Sequence, residues 1–214
     1  MRAQAHTLEA VVAALLLVSS VVFALQVTAV TPLSASTSSQ HVENQQQAIG
    51  EGLLERTARS EALRRAVLFW GDADDDGKRE FHCARTDEAY AADPNVSACG
   101  IAGTPNAVHV PPNDFGAAVN ETFGPGVAVN VRVFHRRDDN TTDVQRLVYR
   151  GRPSDNAVRT SVTVTLADDD VLYDPSGDPT DTPVGSGAAA FYAEDISDGP
   201  LYNVLRVEVT AWRI

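Results

Sequence analysis

Lysine is nearly missing from this chain. Lys78 is the only one in 214 residues, and every other base is an arginine. Acids outnumber bases 29 to 17, for a net charge of -12, and aspartate exceeds glutamate nearly two to one. No basic stretch exists that could follow a phosphate backbone, so nucleic acid is not an expected partner. Cysteine is almost as scarce. Cys83 and Cys99 are the only two, which excludes a disulfide-dense miniature scaffold. The motifs of common enzymes are lacking too. There is no Gly-x-Ser-x-Gly elbow and no phosphate-cradling Gly-Lys-Ser/Thr loop, and "VGSGAAAF" at Val184–Phe191 lacks the lysine. The five histidines show no two-histidine metal spacing. Carboxylates are plentiful, yet nothing nominates a catalytic pair. No enzyme is expected.

What is present begins with grease. From Leu8 to Val30 there are 23 residues with Glu9 as the only charge. As a helix this run is about 34 Å long, enough for a hydrocarbon core of about 30 Å. Arg2 precedes it and no Lys or Arg follows until Arg56. The positive-inside rule therefore puts the start in the cytoplasm and the remainder outside. Three readings fit: a secretory signal cut after "VTA" at Ala29, a plain signal anchor, and a leader whose helix is retained.

The residues that favour the third carry a family resemblance. "RAQ" followed by "HTLEAVVAALLL" resembles the class III leader of archaeal type IV pilin-like proteins. The resemblance implies that a membrane peptidase cuts on the cytoplasmic side near Arg2, Ala3 and Gln4 and leaves the helix on the mature protein. It also implies that Glu9 neutralises the free amine of a neighbouring subunit and sets the stagger between subunits. In that family the glutamate is fifth in the mature chain. A cut before Gln4 makes Glu9 the sixth, and a cut after Gln4 makes it the fifth. The alternative role for Glu9 is a carboxylate at the edge of the bilayer that reaches the headgroups. The Asp-rich, Lys-poor composition is similar to proteins of salt-loving archaea, where molar salt shrinks the Debye length to about 3 Å and screens the self-repulsion. "AHTLEAVVAALLLVSSVVFALQVTAVTPLSASTSSQHVENQQQ", "SDNAV" and "GPLYNVLRVEVTAWRI" resemble a group of haloarchaeal membrane proteins with this leader, which implies location and architecture rather than an activity.

The rest of the chain predicts an α+β protein with a pilin-like plan. Its parts are a leader and transmembrane helix (1–30), a polar break with Pro32 and several serines (31–40), an amphipathic helix (41–70) and a mainly antiparallel β head (71–214). Val42, Ile49, Leu53, Leu63, Val67 and Trp70 fall largely at helical spacing, with Gly50 and Gly52 weakening the middle. That face either packs as a spine or simply covers a sheet. From Val127 the period becomes two. Val127–Val133, Val144–Arg150, Val158–Leu166 and Leu205–Ala211 read as four strands, the first two joined by the polar loop "RRDDNTTD". A short helix over Asp114–Thr122 is expected, with Asn113 capping it and Gly124 ending it.

Candidate sites are few. Outside the cell a Cys83–Cys99 disulfide is the default and is worth roughly 3 kcal/mol, with reduced buried thiols second. A metal site would add His82 and His109, but fifteen residues separate the cysteines, far from zinc spacing. "DADDDGKREFHC" opens like a calcium loop, with Asp72, Asp74 and Asp76 at the first, third and fifth positions and Gly77 at the sixth. It then departs, since Arg79 and Cys83 stand where an apolar residue and a bidentate carboxylate belong. Calcium is the one cofactor the sequence hints at. The bland reading is a solvated turn, as it is for the acid-rich Ala167–Asp181. Asn95, Asn120 and Asn140 each open an N-x-S/T sequon, Asn140 at the expected hairpin tip.

The expectation is therefore a single-pass protein in contact with membrane lipid, with other pilin-like subunits and a leader peptidase as partners and a head outside the cell. The competing expectation is a monomeric, membrane-tethered binding module.

Overall fold

The computed structural model describes residues 2–72, 79–82, 99–100, 110–124, 126–187 and 190–214, with the backbone alone described for 2–7, 27–39 and 99–100. The fold is α+β, an N-terminal apolar helix followed by a mainly antiparallel β-sheet domain. Its helices are α1 (Arg2–Arg59), α2 (Ala62–Val67) and α3 (Asp114–Thr122). The strands are β1 (Trp70–Gly71), β2 (Glu80–Phe81), β3 (Cys99–Gly100), β4 (Val127–Arg136), β5 (Thr142–Tyr149), β6 (Val158–Ala167), β7 (Val171–Tyr173), β8 (Pro179–Pro183) and β9 (Leu201–Arg213). The chain divides into two compact units, Met1–Gln45 and Gln46–Ile214.

The first unit is the larger part of α1. The sequence predicts an interruption at 31–40, but α1 stays helical through it. One proline forfeits a single backbone hydrogen bond and costs about 3 kcal/mol, and the long helical runs on both sides outweigh that. The single helix expected over 41–70 is instead cut in two. α1 ends at Arg59, Glu61 takes a left-handed φ of 60°, and α2 follows. The break has a packing reason. All four apolar residues of α2, Ala62, Leu63, Ala66 and Val67, are buried.

In the second unit a five-stranded sheet has the order β3-β5-β4-β9-β6, flanked by two-stranded β1–β2 and β7–β8. The period-two signal in the sequence is its cause. Val131 and Val133 on β4 stand opposite Val209 and Val207 on β9, and Val209 and Leu205 stand opposite Thr160 and Val164 on β6. These side chains form one buried row, and Leu53, Leu54, Leu63, Phe115 and Val119 of the helices pack with it. Full burial of each such side chain is worth about 1.5–3 kcal/mol. Gly50 shows how closely α1 lies on the sheet, because a Cβ there would sit 2.7 Å from Thr160 Oγ1.

The four expected strands and the β4–β5 hairpin are present, with Asn140 exposed in the turn at φ 67°. A bulge after Val131 inserts Leu147 as an extra, fully buried residue of β5. Helix α3 also forms as expected. The Asn113 side chain accepts from the Gly116 N–H at 3.1 Å, the short-polar cap that satisfies an orphan donor. Among the described strands only β3 is parallel to its neighbour, β5.

Candidate functional site

The most unusual feature is the apolar part of α1. Leu8–Gln26 has a mean hydropathy of 2.5, and none of it is buried. A helix satisfies its own backbone groups, so it is one of the few structures that can enter lipid. Ser20 in its middle donates to the Leu17 carbonyl at 2.8 Å, which removes most of the cost of a hydroxyl there. By length and composition this helix can cross a membrane, and a signal sequence near an N-terminus has the same character. Glu9 is the one acid in it, one residue from its start.

Among the described residues, two of the clefts in the sheet domain stand out. The first, of about 260 Å³, collects Trp70 and Asp72 after α2, Arg79 and His82 around β2, and Asp174 and Thr182 from the β7–β8 hairpin. Burial holds the His82 imidazole below its usual pKa, against the raising effects of a hydrogen bond to the Tyr173 backbone and of the Asp174 carboxylate. Its Nδ1 is buried without a hydrogen-bond partner among the described residues. The cleft is therefore lined by carboxylates, a guanidinium and an imidazole held neutral by burial. Thr180 has its hydroxyl committed to the Leu172 carbonyl at 2.9 Å. The second cleft, of about 220 Å³, lies between Arg65, Phe69, Asn113, Asp114 and Tyr173.

Beside the first cleft sits an aromatic cluster. Trp70 meets Phe81 and Tyr192 edge-on, with centroids 5.2 and 5.1 Å away. The polar tips of its tryptophan and tyrosines are bound within the fold: Trp70 Nε1 donates to the Ala190 carbonyl, Tyr192 Oη to the Val67 carbonyl and Tyr202 Oη to the Ala193 carbonyl. Burial pushes the Tyr202 phenol up to about 12 and Tyr192 well above its ordinary value. Both stay neutral, and the cluster reads as core.

The sequence-predicted residues fall as follows. Asp72 lines the first cleft, while Asp74 and Asp76 lie outside the described residues, as do Cys83, Asn95 and His109. Among the described residues no group of three or more His, Cys, Asp or Glu is placed to hold a metal ion. Cys99 is described by backbone only, paired with Val148. Asn120 and Asn140 are both exposed, and Arg2, Ala3 and Gln4 are helical. The acid-rich 167–181 stretch is more ordered than a solvated excursion. It folds as the β7–β8 hairpin, and Asp170 is tied down by Arg64 at 2.9 Å and by the Ala167 N–H at 2.8 Å. Sequence reasoning did not assemble the first cleft, because its walls come from three separate segments with no shared motif.

A family model matches residues 2–211, and its description is a family of unknown function, DUF7288. The chain belongs to that family. The DUF7288 match includes the apolar helix as well as the sheet domain. No curated protein matches the chain, and no solved structure does.

Proposed function

We propose that this protein is a pilin-like structural subunit of a salt-adapted archaeal cell surface, anchored by a retained helix and working by assembly and display rather than turnover. The observation that carries the reading is the unburied apolar helix Leu8–Gln26 with one carboxylate at its mouth, in the same family match as a folded β domain. Lipid or the helices of neighbouring copies would cover that surface. The start of the chain would face the cytoplasm and the sheet domain the outside. That compartment would favour a Cys83–Cys99 disulfide and glycans on the exposed Asn120 and Asn140. A carboxylate such as that of Glu9 is costly inside lipid; the insertion scale gives about 2.5–3.5 kcal/mol for aspartate at a helix centre, and the cost is smaller near an edge. A carboxylate accepts several donors, so the amine of a neighbouring subunit cleaved near Arg2–Gln4 can neutralise it.

Intact-mass measurement of the protein recovered from membranes tests the anchor: loss of only the first few residues supports it, and a mature chain starting after Val30 overturns it. Glu9→Ala tests assembly. The variant should still insert but should be recruited into assemblies several-fold less. Unchanged recruitment leaves a tether, and the polar cleft beside His82 then favours the second reading, a monomeric membrane-tethered binding module.

A further inference from the structure

The face of the sheet opposite the helices has a different chemistry from the rest of this acidic chain. Register places Arg132 opposite Glu208 on one side and Arg146 on the other, and Phe134 opposite Arg206 and Val144. These six alternate with the buried row of Val131, Val133, Leu205 and Val207, so they share the outward face. The Arg206 guanidinium lies 3.9 Å from the centre of the Phe134 ring and that of Arg132 lies 5.3 Å from it. Glu208 accepts from both arginines. Arg132 and Arg206 keep 37% and 48% of their side-chain surface exposed, and Val144 is 43% exposed. Among the described residues the single carboxylate of Glu208 serves both Arg132 and Arg206, which leaves a positive excess in a chain whose net charge is -12. The guanidiniums are already held by ring and carboxylate, so little side-chain freedom is left to lose on binding.

We propose that this arginine–phenylalanine face docks the exposed aspartates of the Ala167–Asp181 segment of a second copy of the chain. Charge complementarity calls for an acidic occupant, and this segment supplies one. Asp169, Asp178 and Asp181 are exposed on a short, ordered hairpin region, and arginine binds carboxylates in a planar two-point fork. Two different patches meet in such a contact. It is heterologous, and repetition adds copies in a row instead of closing a dimer. The inference rests on the assembly reading above for its setting, but not on Glu9.

The test places the photo-cross-linker p-benzoylphenylalanine at position 134 of the full chain in its own membranes. The expected product has twice the chain's mass, with the cross-link mapped to residues 167–181 of the second copy. Arg206→Gln should lower its yield at least fivefold while the melting temperature stays within a few degrees. Joint substitution of Asp178→Asn and Asp181→Asn on the opposite surface should do the same. A cross-link to lipid, to a different protein, to another segment of the second copy, or none at all overturns the proposal. If Glu9→Ala assembles normally and the cross-link persists, the pilin-like reading fails and this interface stands. A lost cross-link with normal Glu9 dependence gives the converse.

Discussion

Two stretches of one helix use apolar side chains in opposite ways. In Leu8–Gln26 of α1, residues such as Leu8, Leu15, Leu16 and Phe23 are between 63% and 69% exposed. In the part of α1 belonging to the second unit, Leu53 and Leu54 are 3% and 1% exposed against the sheet. Each large apolar side chain left in water forgoes about 1.5–3 kcal/mol. The second stretch recovers that within the chain, while the first recovers it only from another apolar phase. Composition shows the same division. The first stretch is apolar on all sides, and the second alternates Leu53, Leu54 and Thr57 with exposed Glu51, Glu55, Arg56 and Arg59.

Substituting on both stretches should expose the difference most strongly. Leu54→Ala removes a fully buried side chain and should lower the unfolding free energy of the sheet domain by about 3 kcal/mol, read from denaturant titration of the full chain in detergent. Leu16→Ala should leave that titration unchanged. Equal effects of the two would show that the apolar stretch is part of the folded core. A smaller effect separates two glycines in the buried stretch. Gly50→Ala pushes a Cβ onto Thr160 Oγ1 and should cost about 1–2 kcal/mol. Gly52 has nothing within 4 Å of such a Cβ, so Gly52→Ala should gain about 0.5–1 kcal/mol from helix propensity. Adding Thr160→Ala to Gly50→Ala should restore most of the loss. The Thr160 hydroxyl is buried without a hydrogen-bond partner among the described residues, so removing it sacrifices little. A Gly50→Ala loss that persists in the double variant would mean that the glycine serves the helix backbone and not the contact.

Much of this comparison was legible in the sequence, for physical reasons. Strands β4, β5, β6 and β9 announce themselves by period two, because one face is buried and a one-residue slip would invert it. The α3 cap at Asn113 is a local event, visible to local reading. What failed were the features decided by distant partners. Gly50 reads as a weak spot in a helix, yet it is where that helix touches β6. The turn at Glu61 carries no glycine or proline to mark it, and is set by the need to bury α2. Pro32 marks a break that the neighbouring helical residues override. The first cleft and the arginine–phenylalanine face were invisible for the same reason. Register brings Arg132, Arg146 and Arg206 together from three strands, and no run of basic residues records it.

The smallest effect also distinguishes the two regions, and it concerns acid. His82 and His135 both lie in the second unit, and burial lowers the pKa of each. For His135, Asp143, the Arg136 backbone and Glu194 oppose that effect, while Arg137 reinforces it. Well above pH 6.5 both imidazoles are neutral in the folded and unfolded chain, and they contribute no pH dependence. As pH falls below that value the unfolded chain takes up protons that the folded domain does not, so stability drops until pH passes the lowered folded values. Denaturant midpoints of the sheet domain should therefore decline between pH 8 and pH 5.5. His135→Phe keeps a ring against Tyr192, whose centroid is 5.5 Å away, and should flatten the decline. Retention of the protein in the membrane fraction should not change over the same range, because partition of Leu8–Gln26 depends on apolar area rather than on either histidine. A midpoint that rises on acidification, or a His135→Phe profile as steep as the parent's, would show that the imidazole gains a partner in the folded state that outweighs its burial.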